Sequence, residues 1–112
     1  MSGRRAGGTP RRPSRPGVYL LEPEGGLALV HAYSDEALDY SLEDLPELLG
    51  YGRWDEDEPP RLTLEEREIR ALATEAVARS FDLEEGLVTL CQDLREAVRG
   101  RGQESYVLLD YP

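Results

Sequence analysis

The side chains best able to do chemistry in this sequence are few and lie far apart along the chain. His31 is the only histidine and Cys91 the only cysteine. His31 falls inside an apolar run, where a hydrogen-bonded strand histidine is commoner than a general base. Cys91 lacks a second cysteine, so it cannot form an internal disulfide. No glycine-rich phosphate loop, Cys-x-x-Cys pair or Gly-x-Ser-x-Gly motif occurs. We therefore expect a protein that is not an enzyme and that binds no cofactor.

Carboxylates are the densest chemical group, and they follow the only tryptophan. The run Asp55-Glu56-Asp57-Glu58 comes directly after Trp54 and before two prolines. It lacks the glycine that a calcium loop needs at its sixth position, so we expect no metal site. Residues 55–60 are either a solvated linker or a docking loop in which an aromatic anchor has an acidic rim. The candidate partner-binding residues are Trp54, Asp55, Glu56, Asp57, Glu58, Glu65 and Glu68.

Charge divides the chain into a basic arm and an acidic body. Residues 1–16 contain five arginines and no acid, whereas residues 17–112 contain 8 arginines against 23 acids, a net charge of −15. The arm is rich in glycine and proline, so we expect it to be disordered. It is either a solvated tail or an arm that contacts nucleic-acid phosphates or an acidic partner. Its basic residues are Arg4, Arg5, Arg11, Arg12 and Arg15.

Two amphipathic helices in residues 63–99 should position the other elements. Thr63 and Glu66 have the spacing of a capping box, and apolar residues then recur at helical intervals. A second capping box, Asp82 with Glu85, predicts the start of the next helix, which we expect to end at Gly100. A short helix is predicted over residues 45–49, after Asp44.

Apolar segments on both sides of the helices predict strands. Residues 18–21 and 27–33 flank a turn sequence and predict a β-hairpin, and residues 37–40 could return as a third strand. Residues 105–111 predict a final strand, at the edge or in the centre of the sheet. The predicted fold class is α+β. A small antiparallel sheet, formed by the N-terminal hairpin or three-stranded meander plus the C-terminal strand, packs on two main helices and one short helix.

These observations predict a disordered leader, residues 1–16, and a single acidic domain, residues 17–112. No apolar run is long enough to span a membrane and no signal region follows the first arginines, so we expect a cytoplasmic protein. We expect an acidic protein-binding module, such as an inhibitor, an antitoxin-like or immunity-like protein or a phage accessory protein, that covers a partner's basic surface. One alternative is a structural or assembly protein of a virion or large complex, anchored through its basic arm. Another is a peptide-binding module that acts through a sheet edge. Direct nucleic-acid binding is expected only through the arm. A homodimer is possible.

Overall fold

The computed structural model describes residues 13–34 and 40–112, and it confirms the predicted α+β class. Five strands form one antiparallel sheet in the order β2-β1-β5-β4-β3. Two main helices pack on one face of the sheet, beside a short helix of π type. The strands are β1 (Gly17–Leu21), β2 (Leu27–Ala32), β3 (Arg53–Asp55), β4 (Arg61–Glu65) and β5 (Ser105–Tyr111), and the helices are the short helix (Leu45–Leu49), α1 (Glu66–Ala78) and α2 (Glu85–Val98).

The N-terminal hairpin forms as the turn sequence predicts. Gly25 adopts a φ of 100°, a left-handed conformation that favours glycine. The backbone N–H of Glu22 donates to the Gly26 carbonyl at 2.8 Å and closes the loop. In the ladder Val18 faces His31 but Tyr19 faces Leu29, so β2 contains one extra residue and forms a bulge.

α1 begins later than the predicted capping box at Thr63 indicates. Thr63 lies in β4, and α1 begins at Glu66. The alternating residues Leu62 and Leu64 are fully buried, and β4 pairs with β5 along its whole length. The capping box is formed two residues later by Glu65 and Glu68, where Glu68 Oε1 accepts the backbone N–H of Glu65 at 2.8 Å.

The predicted capping box of α2 is also wrong. The N-cap residue of α2 is Glu84, and no side chain caps this helix. Asp82 lies earlier, in the turn between the two helices, so it cannot reach the free amides of the first turn. Gly100 follows the end of α2 with a φ of 79°, as the sequence indicates for a helix stop.

β5 is the central strand, and both of its faces are buried. It lies between β1 and β4, which removes the possibility that it is an exposed edge. Leu108 faces the main core together with Leu20, Leu62 and residues of both helices. On the other face Leu109 packs with Tyr19 and Tyr111 in a smaller cluster. Three consecutive aliphatic residues in β5 therefore serve two apolar layers.

Parts of the predicted organisation lie outside the described residues. These are most of the basic arm, with Arg4, Arg5, Arg11 and Arg12, and residues 37–39 of the possible third strand. Tyr40, at the end of that segment, is not in a strand. Arg15 is exposed, and its backbone carbonyl accepts the Tyr19 hydroxyl at 2.7 Å. None of the helices formed by residues 13–34 and 40–112 has the length and apolar character that a membrane span requires.

Candidate functional site

An acidic surface forms where the short helix approaches the loop after β3. Burial raises the pKa of Glu43, and the nearby carboxylates of Glu47, Glu56 and Asp44 raise it further. Glu56 is distant from the other three in sequence, so the fold brings two acidic segments together. We call these four residues, Glu43, Asp44, Glu47 and Glu56, the acidic surface.

The acidic surface differs from the helices in its ion pairing. On α1, Glu66 pairs with Arg70 at 2.9 Å and Glu75 pairs with Arg79 at 3.1 Å. No arginine of residues 13–34 and 40–112 comes within ion-pairing distance of the acidic surface. The repulsion among its carboxylates is therefore not offset by a cation from the described part of the chain.

The candidate docking loop, residues 55–60, contributes Glu56 to this surface, but Trp54, which precedes the loop, does not point freely into solvent. Trp54 is partly buried and packs against the main core. Its indole Nε1 is buried and has no hydrogen-bond partner among the described residues. The indole therefore fixes the β3–β4 hairpin to the core, and the loop's contact surface consists mainly of carboxylates.

The four carboxylates of the docking loop have different surroundings. Asp55 ends β3, is partly buried and lies opposite Arg61 in the ladder. Asp57 is exposed and pairs with Arg61 at 3.5 Å. Glu56 and Glu58 are exposed and have no ion pair within the described part of the chain. The loop therefore presents two unpaired carboxylates, those of Glu56 and Glu58, to solvent.

Glu65 and Glu68 belong to a different part of the molecule. Glu65 lies four residues beyond Arg61 along β4, which separates it from the docking loop by about 13 Å. It pairs with Arg67 at 2.7 Å. Glu68 accepts backbone N–H groups of Glu65 and Gly52, at 2.8 and 3.2 Å. Both residues therefore organise the start of α1 and do not join the acidic surface.

A shallow groove of about 850 Å³ runs between the start of α1 and the loop after α2. Glu65, Glu66, Arg67, Arg70 and Glu104 contribute its charged walls. The first four side chains already form two ion pairs with each other. Glu104 is exposed and has no ion pair within the described part of the chain, so it is the unpaired charge that the groove offers a ligand.

A second polar cluster, which sequence spacing does not indicate, surrounds His31. We call it the histidine network. His31 is only 7% exposed, and its Nδ1 lies 2.9 Å from Asp93 Oδ2. Its Nε2 lies 2.5 Å from the Tyr40 hydroxyl. Tyr33 packs edge-on against both rings and donates to Asp110 Oδ1 at 2.7 Å. The network therefore connects β2, β5 and α2 with the segment that begins at Tyr40.

The histidine network has the order carboxylate, imidazole, hydroxyl found in nucleophilic triads. In such triads the base must make the hydroxyl easier to deprotonate. Here burial raises the pKa of Tyr40 above its ordinary value, and the charge of Asp93 adds a smaller rise. Burial, and then Asp110, likewise raise the pKa of Tyr33. The tyrosines keep their protons, so the arrangement suits stable hydrogen bonding better than nucleophilic attack.

Gly86 makes room for this network. A Cβ atom at Gly86 would lie 2.2 Å from Tyr40 Cε1 and 2.6 Å from Cζ, well below any normal contact. The Tyr40 ring thus rests directly on the backbone of the first turn of α2. The sequence signal is a glycine where alanine would form a better helix.

The two remaining chemical candidates are a metal site and the free thiol. Among the described residues, no three His, Cys, Asp or Glu side chains converge to hold a metal ion. Cys91 is fully buried in α2, and burial raises the pKa of its thiol to about 12. Comparisons of the chain with protein-family models, curated proteins and solved structures give no match.

Proposed function

We propose that this protein is a non-enzymatic binding module that covers a basic surface of a cytoplasmic protein partner with its acidic surface. Inhibitors, antitoxin-like and immunity-like proteins and phage accessory proteins are the classes that act in this way. The observation that carries the proposal is the meeting of Glu43, Asp44 and Glu47 with Glu56, without a pairing arginine in the described part of the chain.

Electrostatics favours a cationic partner for this surface. Like charges held together cost free energy, and an approaching lysine or arginine relieves that cost. The body carries a net charge of −15, so its long-range field attracts cations and speeds their association. The same field repels bare nucleic acid, which makes a basic protein surface the better match.

The acidic surface is also held in place before binding. Leu45 and Leu49 of the short helix are buried in the main core, next to Glu47. Trp54 anchors the hairpin that leads to Glu56. A surface that is already ordered loses less conformational entropy when a partner docks.

The test is affinity capture from the native host lysate, followed by binding measurements on the captured partner. One variant carries Glu43→Lys, Glu47→Lys and Glu56→Lys. A matched control carries Glu24→Lys, Glu96→Lys and Glu104→Lys, which changes the net charge equally at exposed positions elsewhere. We expect the first variant to slow association about tenfold or more, and the control to change it far less. Added salt should weaken binding of the native protein.

Two outcomes would contradict the proposal. One is equal loss of binding in the two variants, because net charge alone would then explain the effect. The other is a partner that is lost when residues 1–16 are deleted, because this would favour the assembly alternative. A peptide-binding module would have to use β2 or β3, since β5 is paired on both sides.

A further inference from the structure

We propose that the groove beside the start of α1 binds an extended segment of a partner protein that carries a basic and an acidic residue four positions apart. This inference goes beyond the proposed covering of a basic surface, because it uses another part of the molecule and a ligand of different chemistry. It rests on the continuity of two cavities, on two unpaired charges of opposite sign and on the distance between those charges.

Two cavities join into one groove across an end of the sheet. The groove of about 850 Å³ meets a smaller cavity of about 390 Å³, and Glu65 and Ser105 line both. The smaller cavity extends past Thr63 to Gly52 and Arg53, at the start of β3. The joined groove therefore runs from the loop after α2, past β5 and β4, to the first residue of β3.

The joined groove lies at one end of the sheet, and the undescribed parts of the chain connect to the other end. Residues 1–12 lead to the first residue of β1, and residues 35–39 follow the last residue of β2. These two strand ends pair with each other, and the first residue of β1 also pairs with Tyr111. Ser105 precedes Tyr111 by six residues, which is about 20 Å along β5.

One carboxylate and one guanidinium of the joined groove lack an ion pair within residues 13–34 and 40–112. Glu65 and Glu66 pair with arginines of α1, and Glu68 accepts two backbone N–H groups. Glu104 and Arg53 are exposed, and neither makes an ion pair in this part of the chain. A ligand that satisfies both must bring a cation to Glu104 and an anion to Arg53.

The distance between the two charges fits an extended chain. Ser105, the neighbour of Glu104, pairs with Glu65, and Arg53 pairs with Thr63. Ser105 and Arg53 are thus two strand spacings apart across the sheet and two residues apart along it, so their Cα atoms are separated by about 12 Å. Four residues of an extended chain cover about 13 Å, and side chains four positions apart point to the same side.

Hydrogen bonds to the start of α1 hold both ends of the joined groove. The backbone carbonyl of Glu104 accepts the N–H of Glu66 at 3.0 Å. Glu68 accepts the backbone N–H of Gly52, the neighbour of Arg53, at 3.2 Å. A site that is ordered before binding loses less conformational entropy when its ligand docks.

The shape and charge of the joined groove favour a protein segment over other ligands. Small-molecule sites enclose most of their ligand, whereas this groove is shallow and suits a chain that continues beyond both ends. The net charge of −15 on residues 17–112 repels the phosphates of nucleic acid. Binding through two charged side chains needs no free sheet edge, unlike the addition of a strand to β2 or β3.

The probe is the blocked synthetic peptide acetyl-Gly-Arg-Ser-Ala-Ser-Asp-Gly-amide, used in both orders of its two charged residues. It is titrated into the isotope-labelled full chain and followed by NMR. Backbone amide signals of residues 100–105 and 52–54 should shift in a saturable manner with at least one order. A peptide of the same composition with adjacent charges should bind about threefold more weakly or worse, because its charged side chains point to opposite sides.

Neutral variants of similar size test the two charges separately. Glu104→Gln and Arg53→Gln should each weaken binding of the peptide about threefold to fivefold, the effect of one exposed ion pair. Glu58→Gln and Arg95→Gln are matched controls that change the net charge equally outside the joined groove, and they should leave binding unchanged. A thermal melt establishes that each variant is folded.

The variant with Glu43→Lys, Glu47→Lys and Glu56→Lys separates this inference from the proposed function. It should bind the peptide as the native protein does, because the peptide has no net charge. Failure of either order to shift the groove signals, equal binding of the adjacent-charge peptide, or controls that weaken binding as much as the groove variants would overturn the inference. Binding that appears only when residues 1–12 are deleted would assign the groove to the chain's own arm, and would also overturn it.

Discussion

Replacing Gly86 by alanine should destabilise this protein, although the same change stabilises most helices. Gly86 is the second residue of α2, and a Cβ there would overlap the Tyr40 ring. The ring cannot easily move away, because its hydroxyl is hydrogen-bonded to His31 and its edge contacts Tyr33. Alanine must therefore displace Tyr40 from the histidine network.

The magnitude follows from three contributions. Alanine gains about 1 kcal/mol of helix propensity over glycine. Loss of the Tyr40 hydrogen bond leaves the buried His31 Nε2 without a partner, at a cost of about 1–3 kcal/mol. Loss of the edge-on contacts of Tyr40 with His31 and Tyr33 costs about 0.5–1.5 kcal/mol more. The net effect is a loss of about 0.5–3.5 kcal/mol in the free energy of unfolding.

Urea unfolding followed by circular dichroism measures this difference, and a double-mutant cycle shows its cause. In a Tyr40→Ala background the obstruction is absent, so Gly86→Ala should become stabilising by up to about 1 kcal/mol. The sign of the alanine effect should thus reverse between the two backgrounds. If Gly86→Ala stabilises the native protein, the proposed packing of Tyr40 on α2 is refuted.

Two further predictions concern buried titratable groups. Burial raises the pKa of Asp110 in the folded protein above its ordinary value of 3.8, and the hydrogen bond from Tyr33 only partly offsets this rise. The folded protein therefore binds the proton more tightly than the unfolded chain, and the free energy of unfolding should fall as pH rises from about 3.8 through the raised pKa. Asp110→Asn, which keeps an acceptor for Tyr33, should therefore be more stable than the native protein at neutral pH. Urea unfolding should show that this difference in stability becomes smaller in acid. A difference that becomes larger in acid would contradict the reasoning. Burial raises the pKa of Cys91 to about 12, so its thiol should react with an aromatic disulfide reagent only as fast as the protein unfolds. Rapid labelling without denaturant would contradict the burial of Cys91 in α2.

The sequence predicted the elements whose signals are local. The turn sequence at residues 23–26 predicts the hairpin, and apolar periodicity predicts both main helices. The sequence does not indicate β3, because three residues are too few to show alternation. The sequence does not indicate β4, because Thr63 and Glu66 also fit a capping box. Only pairing with β5 decides between strand and helix. Long-range strand pairing therefore overrode a plausible local signal.

The candidate site was predictable only in part, for the same reason. The acidic run after Trp54 is plain in the sequence, but its approach to Glu43 requires the fold. Glu65 is near that run in sequence, but the extended strand β4 places it at the other end of the β3–β4 hairpin. The contact between His31 and Asp93 joins residues 62 positions apart, and no spacing rule covers it.

The central position of β5 has a consequence for how the protein is made. β5 is synthesised after every other described strand and helix, yet it is the strand that joins β1 to β4. Until it leaves the ribosome, the β1–β2 and β3–β4 hairpins have no strand between them, and isolated hairpins are marginally stable in water. The five-stranded sheet therefore cannot be completed before residues 105–111 are available to pair with β1 and β4.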